Sequence, residues 1–129
     1  MRALFDTHLV LWSTVSPGIL SKRVREAIDG GDDAPLFSAV AIWETAIKYA
    51  LRKPGFDVDP GDLDRVLRQK GWQELPVTAR HALAAGDLPP HHADPFDRML
   101  IAQARVEGVP FYTADRALAV YGPPVVPAR

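Results

Sequence analysis

The chain has no cysteine. That absence excludes disulfides, zinc–thiolate sites and thiol catalysis. No apolar run is long enough to cross a membrane. The N-terminus carries one arginine, and Asp6 and His8 interrupt its apolar run, which makes a poor secretory signal. A cytoplasmic protein with no membrane association is the expectation. A large excess of either charge is also missing. The formal net charge is −1, so no global basic field advertises nucleic acid. Glycine-rich phosphate loops and nucleophile elbows do not occur. Repeats, low-complexity tracts and linkers are absent too. The 129 residues are therefore expected to form one domain, 1–129. A chain of this size buries roughly two thirds of its unfolded surface.

What is present is an alternation of strand-like and helix-like segments. It predicts an α/β fold with a central, mostly parallel sheet of four to five short strands. Ala3 to Phe5 reads as a short buried strand, and Thr7 to Trp12 as a helix broken at Ser16-Pro17-Gly18. Ser21 caps a polar helix from Lys22 to Ile28. Leu36-Phe37 is a second strand, and Ser38 caps a helix running to about Leu51. Its apolar positions Ala39, Ile42, Trp43, Ala46, Ile47 and Ala50 predict that Trp43 lies in the core. Asp59-Pro60 starts a helix to about Lys70. Glu74 to Val77 is the third strand, and Thr78 caps a short helix through Ala85. Residues 86 to 94, with two prolines and His91-His92, read as a loop. Asp94-Pro95 opens the best-marked helix, with proline at its first position, and Gly108 closes it. Val109 to Thr113 is a fourth strand and Val125-Val126 a short fifth.

Four acids stand at element junctions: Asp6, Glu44, Asp97 and Asp115. Ligands of open parallel sheets bind beyond the carboxyl ends of the strands. Carboxylates gathered there repel one another unless protonated or neutralised. Mg²⁺ or Mn²⁺, which prefer oxygen ligands, would neutralise them and would suit phosphodiester hydrolysis. Without these four acids the formal balance becomes +3, a surface that tolerates a phosphate backbone. Each acid also has a purely structural reading. Asp6 can cap the helix from Thr7, Asp115 the turn at Arg116-Ala117-Leu118, and Glu44 can pair with Lys48 four residues on. Asp97 suits the first turn of its helix, where Asp94 is expected to be the cap rather than a ligand.

Other residues are candidates for supporting roles. Thr7, His8, Ser38 and Thr113 could hydrogen-bond to the acids or to water beside them. Arg98 and Arg116, each next to an acid, could touch phosphate or simply be charged helix ends. Trp12 and Trp72 could stack on bases. His91-His92 is expected to be a solvated loop pair, because adjacent histidines do not share a helical face and no third histidine completes a zinc site.

The segment Asp94-Pro95-Phe96-Asp97-Arg98-Met99-Leu100-Ile101-Ala102-Gln103-Ala104 resembles PIN-domain nucleases, specifically the VapC-type toxin ribonucleases of bacterial toxin–antitoxin pairs. The opening Leu4-Phe5-Asp6-Thr7-His8, the middle Ser38 to Glu44, and Tyr112-Thr113-Ala114-Asp115 followed by Tyr121-Gly122 resemble the same family in the same order. The resemblance implies a three-layer α/β/α PIN-like fold with one or two Mg²⁺ or Mn²⁺ ions at the carboxyl edge of the sheet. The family's acids map onto Asp6, Glu44, Asp97 and Asp115. It further implies an RNA substrate, a homodimer and a small antitoxin protein as partner. The rival reading is a non-catalytic α/β binding or receiver-like regulatory module whose acids are structural.

Overall fold

The computed structural model describes residues 2–128. Five short strands alternate with helices along the chain. They are β1 (Leu4–Phe5), β2 (Leu36–Ser38), β3 (Gln73–Leu75), β4 (Phe111–Thr113) and β5 (Val125–Pro127). Six α-helices connect them: α1 (Thr7–Val15), α2 (Lys22–Asp29), α3 (Ala39–Ala50), α4 (Pro60–Gln69), α5 (Ala79–Asp87) and α6 (Pro95–Glu107). All strands pair in parallel, in the order β3-β2-β1-β4-β5. The order reverses between β1 and β4, because the chain first builds outward to β3 and then returns to the other side of β1.

Alternation within the strands explains the layers. Leu4, Leu36 and Phe111 face one apolar cluster, which holds Leu100, Ile101 and Ala104 of α6. Phe5 and Phe37 face the other, with Leu9 and Val10 of α1, Val24 of α2 and Leu63 and Leu67 of α4. A side-chain period of two in each strand therefore makes a three-layer α/β/α sandwich.

The helix signals read from the sequence match the observed caps. Asp6, Ser21, Ser38, Asp59, Thr78 and Asp94 each accept a backbone N–H at their helix start. Gly108 ends α6 at φ 68°, a left-handed conformation that glycine adopts without a Cβ penalty. The third strand starts one residue earlier and ends two residues earlier than the sequence suggests, and β4 starts at Phe111 rather than Val109.

The face of α3 differs from expectation. Its inward residues are Val40, Ala41, Glu44 and Thr45, while Trp43 is 61% exposed, its ring edge-on to Phe96 at 5.1 Å. The helix is apolar on almost every side, so periodicity cannot choose its buried face. Contacts with α1 and α4 decide it, and they turn Glu44 inward and Trp43 out.

His81 is the one fully buried histidine among the described residues. Its Nδ1 accepts the Thr78 N–H at 3.0 Å, and its Nε2–H donates to Glu107 Oε2 at 2.8 Å, joining the start of α5 to the end of α6. His81→Ala removes both bonds and leaves a cavity. It is expected to cost about 2 kcal/mol or more of stability, read as a lower urea midpoint at unchanged slope.

Candidate metal centre

Asp6 leaves β1 at the point where the strand order reverses, the usual ligand crevice of an open parallel sheet. It is 4% exposed. Its Oδ1 accepts the Leu9 N–H at 2.9 Å, and its Oδ2 accepts the Thr113 hydroxyl at 2.6 Å and the Ala114 N–H at 2.8 Å. Burial pushes its carboxyl pKa up, against those three hydrogen bonds and the nearby His8. Thr113 also accepts the Asp115 N–H at 3.0 Å, so one hydroxyl ties the end of β4 to both acids. Asp115 is exposed and accepts the Ala117 N–H at 3.0 Å, capping the 3₁₀ helix Arg116–Tyr121.

Glu44 reaches the same edge from α3. The Thr7 hydroxyl donates to its Oε1 at 2.7 Å, and Lys48 Nζ lies 3.1 Å from its Oε2. The i,i+4 pair with Lys48 is therefore real, but it sits on a largely buried carboxylate.

Asp97 lies in the first turn of α6. Burial, then the neighbouring Asp94, pushes its pKa up to about 6. Asp6 contributes to the same rise, while a hydrogen bond and charge from His92 oppose it. Asp94 caps the helix as expected, its Oδ1 accepting the Phe96 N–H at 2.8 Å.

His92 corrects the sequence reading. It is not a solvated bystander: its Nε2 meets Asp97 Oδ2 at 3.0 Å. His92, Asp94 and Asp97 each offer a ligand atom, and these atoms lie within 4.8 Å of one another. Among the described residues this is the group drawn together so tightly, and no three of Asp6, Glu44, Asp97 and Asp115 match it. The doublet gave no periodic signal, and the contact exists because the loop before α6 folds back over its first turn. His91 points elsewhere, edge-on to Tyr121 at 5.1 Å.

Arg98 explains the loop's position. Its guanidinium donates to the carbonyls of Ala85, Leu88 and Pro89 and to Tyr121 Oη. It is a staple rather than a phosphate contact or a free helix end. Ser38 likewise serves packing, donating to Gln103 Oε1 at 2.6 Å instead of to an acid. Thr7 and Thr113 do bond to the acids. His8 is exposed, with its ring 5.8 Å from that of Trp12. Trp72 is 5% exposed and packs edge-on against Phe5, which removes it as a base-stacking surface.

The donor set suits a hard divalent cation. Among the described residues no lysine or arginine pairs with Asp6, Asp94, Asp97 or Asp115. Carboxylate oxygens with one imidazole match Mg²⁺ or Mn²⁺ chemistry.

The PIN domain profile matches residues 3–122. The chain belongs to the PIN-domain family. No curated protein matches this PIN domain by sequence. Solved structures share its fold at low identity. A toxin–antitoxin complex from Klebsiella pneumoniae is 14% identical over 98% of both chains, with a TM-score of 0.71. DNA-bound VapBC from Salmonella typhimurium is 15% identical over 100% of this chain and 99% of that one, with a TM-score of 0.71. VapBC2 from Rickettsia felis, bound to a DNA fragment from its promoter, is 10% identical over 98% and 97%, with a TM-score of 0.69. No helix among the described residues of the PIN domain is long and apolar enough to cross a membrane.

Proposed function

We propose that this PIN domain is a metal-dependent endoribonuclease, the toxin of a toxin–antitoxin pair, acting in the cytoplasm as a homodimer and held in check by a small antitoxin protein. The observation that carries this reading is the group of acids at and around the β1/β4 switch point, where among the described residues no lysine or arginine balances Asp6, Asp97 or Asp115. The fold shared with toxin–antitoxin complexes supports the choice of partner.

Asp6, Asp97 and Asp115, with Glu44 across the groove, would hold Mg²⁺ or Mn²⁺, and His92 and Asp94 would support Asp97. When bound, the cation supplies positive charge for the scissile phosphate and acidifies a nearby water. The protein's own contribution is orientation. Three hydrogen bonds fix the rotamer of Asp6, so its remaining lone pair is aimed without further ordering. Thr7 does the same for Glu44. Water is the nucleophile in this scheme, and no covalent intermediate forms.

One observation favours the rival reading. Asp6, Asp94 and Asp115 are all genuine helix caps, and Glu44 is paired with Lys48. A non-catalytic module with structural acids would look the same at these atoms. Incubation of structured and unstructured RNA with the purified protein distinguishes the two. Cleavage in Mn²⁺ or Mg²⁺, abolished by EDTA and by Asp6→Asn, is the expected result. Intact RNA under every condition would favour the binding module.

A further inference from the structure

A cavity of about 290 Å³ opens beside the acids, between α1, the turn at Pro17–Ile19 and the segment after β4. Leu9, Trp12, Ile19 and Leu20 form its apolar walls, and Ala114 and Arg116 close the side toward the sheet edge. Two of these wall residues are the ones that hold Asp6. The backbone N–H groups of Leu9 and Ala114 donate to its two carboxylate oxygens at 2.9 and 2.8 Å. The cavity and the carboxylate therefore share a wall. Trp12 is half-buried, with the exposed ring of His8 tilted beside it. Arg116 is exposed, and no hydrogen bond or ion pair among the described residues engages its guanidinium.

We propose that this cavity receives one unstacked base of single-stranded RNA next to the cleaved bond, with Trp12 as the stacking wall and Arg116 on the adjoining phosphate. The inference rests on the nuclease reading and adds to it the place where sequence preference is set. Sequence-specific RNA recognition uses splayed single-stranded bases laid against aromatic or guanidinium planes. The cavity has room for a single purine or pyrimidine. Charge favours a nucleic acid over a peptide. The mouth carries an unpaired cation beside a row of carboxylates, which fits a polyanion whose neighbouring phosphates sit on Arg116 and at the metal centre. Trp43 is more exposed but lies on α3 against Phe96, away from this wall.

The test compares two substrates in Mn²⁺: a single-stranded RNA pool of randomised sequence, and bis(p-nitrophenyl) phosphate, which has no base to insert. The variants are Arg116→Gln, Trp12→Ala and Trp12→Phe. Arg116→Gln changes an exposed side chain without partners, so it keeps the test valid if Trp12→Ala fails to fold. Losing one stacked aromatic costs roughly five- to hundredfold in affinity. In Arg116→Gln, the ratio of RNA to aryl-diester kcat/KM is expected to fall with base preference kept, because a phosphate contact carries no sequence information. In Trp12→Ala, the ratio is expected to fall about tenfold or more, with flattened base preference at the cut site. Trp12→Phe should recover most of it. A parent that cleaves both substrates, with variants keeping its ratio and preference, would overturn the assignment while leaving the nuclease intact, and would give the cavity to a peptide of the partner protein. Equal loss on both substrates would also overturn it, as damage to the acids. A parent inert toward both would remove the nuclease reading and this inference with it.

Discussion

Asp97→Asn is expected to lower metal-dependent RNA cleavage by at least about a hundredfold, because even groups that merely orient metal ligands are worth about ten- to hundredfold. The substitution keeps shape and retains an oxygen to accept from His92, so the fold should survive. What it removes is the negative charge at the centre of the His92–Asp94–Asp97 group. Asp94→Asn should behave differently. Asp94 spends one oxygen on the Phe96 N–H, and asparagine caps a helix about as well as aspartate. Asp94 is also the largest charge acting against ionisation of Asp97. Removing it makes Asp97 easier to ionise, which offsets any weak ligation lost. Cleavage in Asp94→Asn is therefore expected within about threefold of the parent at neutral pH, with Asp94→Ala costing about 1 kcal/mol in stability through the lost cap. Initial rates on one RNA across a Mn²⁺ titration check both. Strong loss in Asp94→Asn with an active Asp97→Asn would reverse the assignment and make Asp94 the ligand.

The two residues differ in how far the sequence revealed them. Asp94 was legible because capping is local: Asp94-Pro95 at one end and Gly108 at the other mark α6 without any tertiary information. The parallel sheet was legible from the alternation of strand-like and helix-like segments, but its order β3-β2-β1-β4-β5 was not, because pairing between distant strands leaves no local mark. His92 was not legible. Its contact with Asp97 depends on the loop after α5 closing over α6, and that closure depends on Arg98 reaching three carbonyls in another segment. Such long-range bonds leave no periodic trace. Trp43 failed for the opposite reason, an excess of signal. With apolar residues on nearly every side of α3, the buried face is set by packing against α1 and α4, where Glu44 accepts the hydroxyl of Thr7 in α1. The cavity beside Trp12 was equally hidden, since its walls come from α1, a 3₁₀ turn and the end of β4.

Without metal, the protein is expected to lose stability as pH rises from about 4 to about 6, and to regain it in Mn²⁺ at neutral pH. The sign follows from Asp97. Its carboxyl titrates near 3.8 in an ordinary setting and is pushed up to about 6 here, by burial first and by Asp94 next. Between those values the folded state holds the proton more tightly than the unfolded chain. The stabilisation is complete below pH 3.8 and is lost as pH climbs through 6. Burial shifts Asp6 in the same direction. For Asp97 the loss is at most about 3 kcal/mol, and less because solvent reaches part of the side chain. In a domain of this size each kcal/mol moves the melting temperature by roughly 3–5 °C. Asp97→Asn has no charge to desolvate, so its metal-free melting point should exceed the parent's at pH 7 and converge with it near pH 4. A cation that binds only the folded state reverses the parent's loss, adding about 2.7 kcal/mol at a hundred times its dissociation constant. Protons compete for the same oxygens, so the rise produced by Mn²⁺ should be large above pH 6 and shrink below it. Melting curves of both proteins from pH 4 to 8, in EDTA and in millimolar Mn²⁺, measure every arm. Identical parent curves in the two buffers at pH 7.5, with Asp97→Asn melting below the parent, would mean that these acids serve the helices alone.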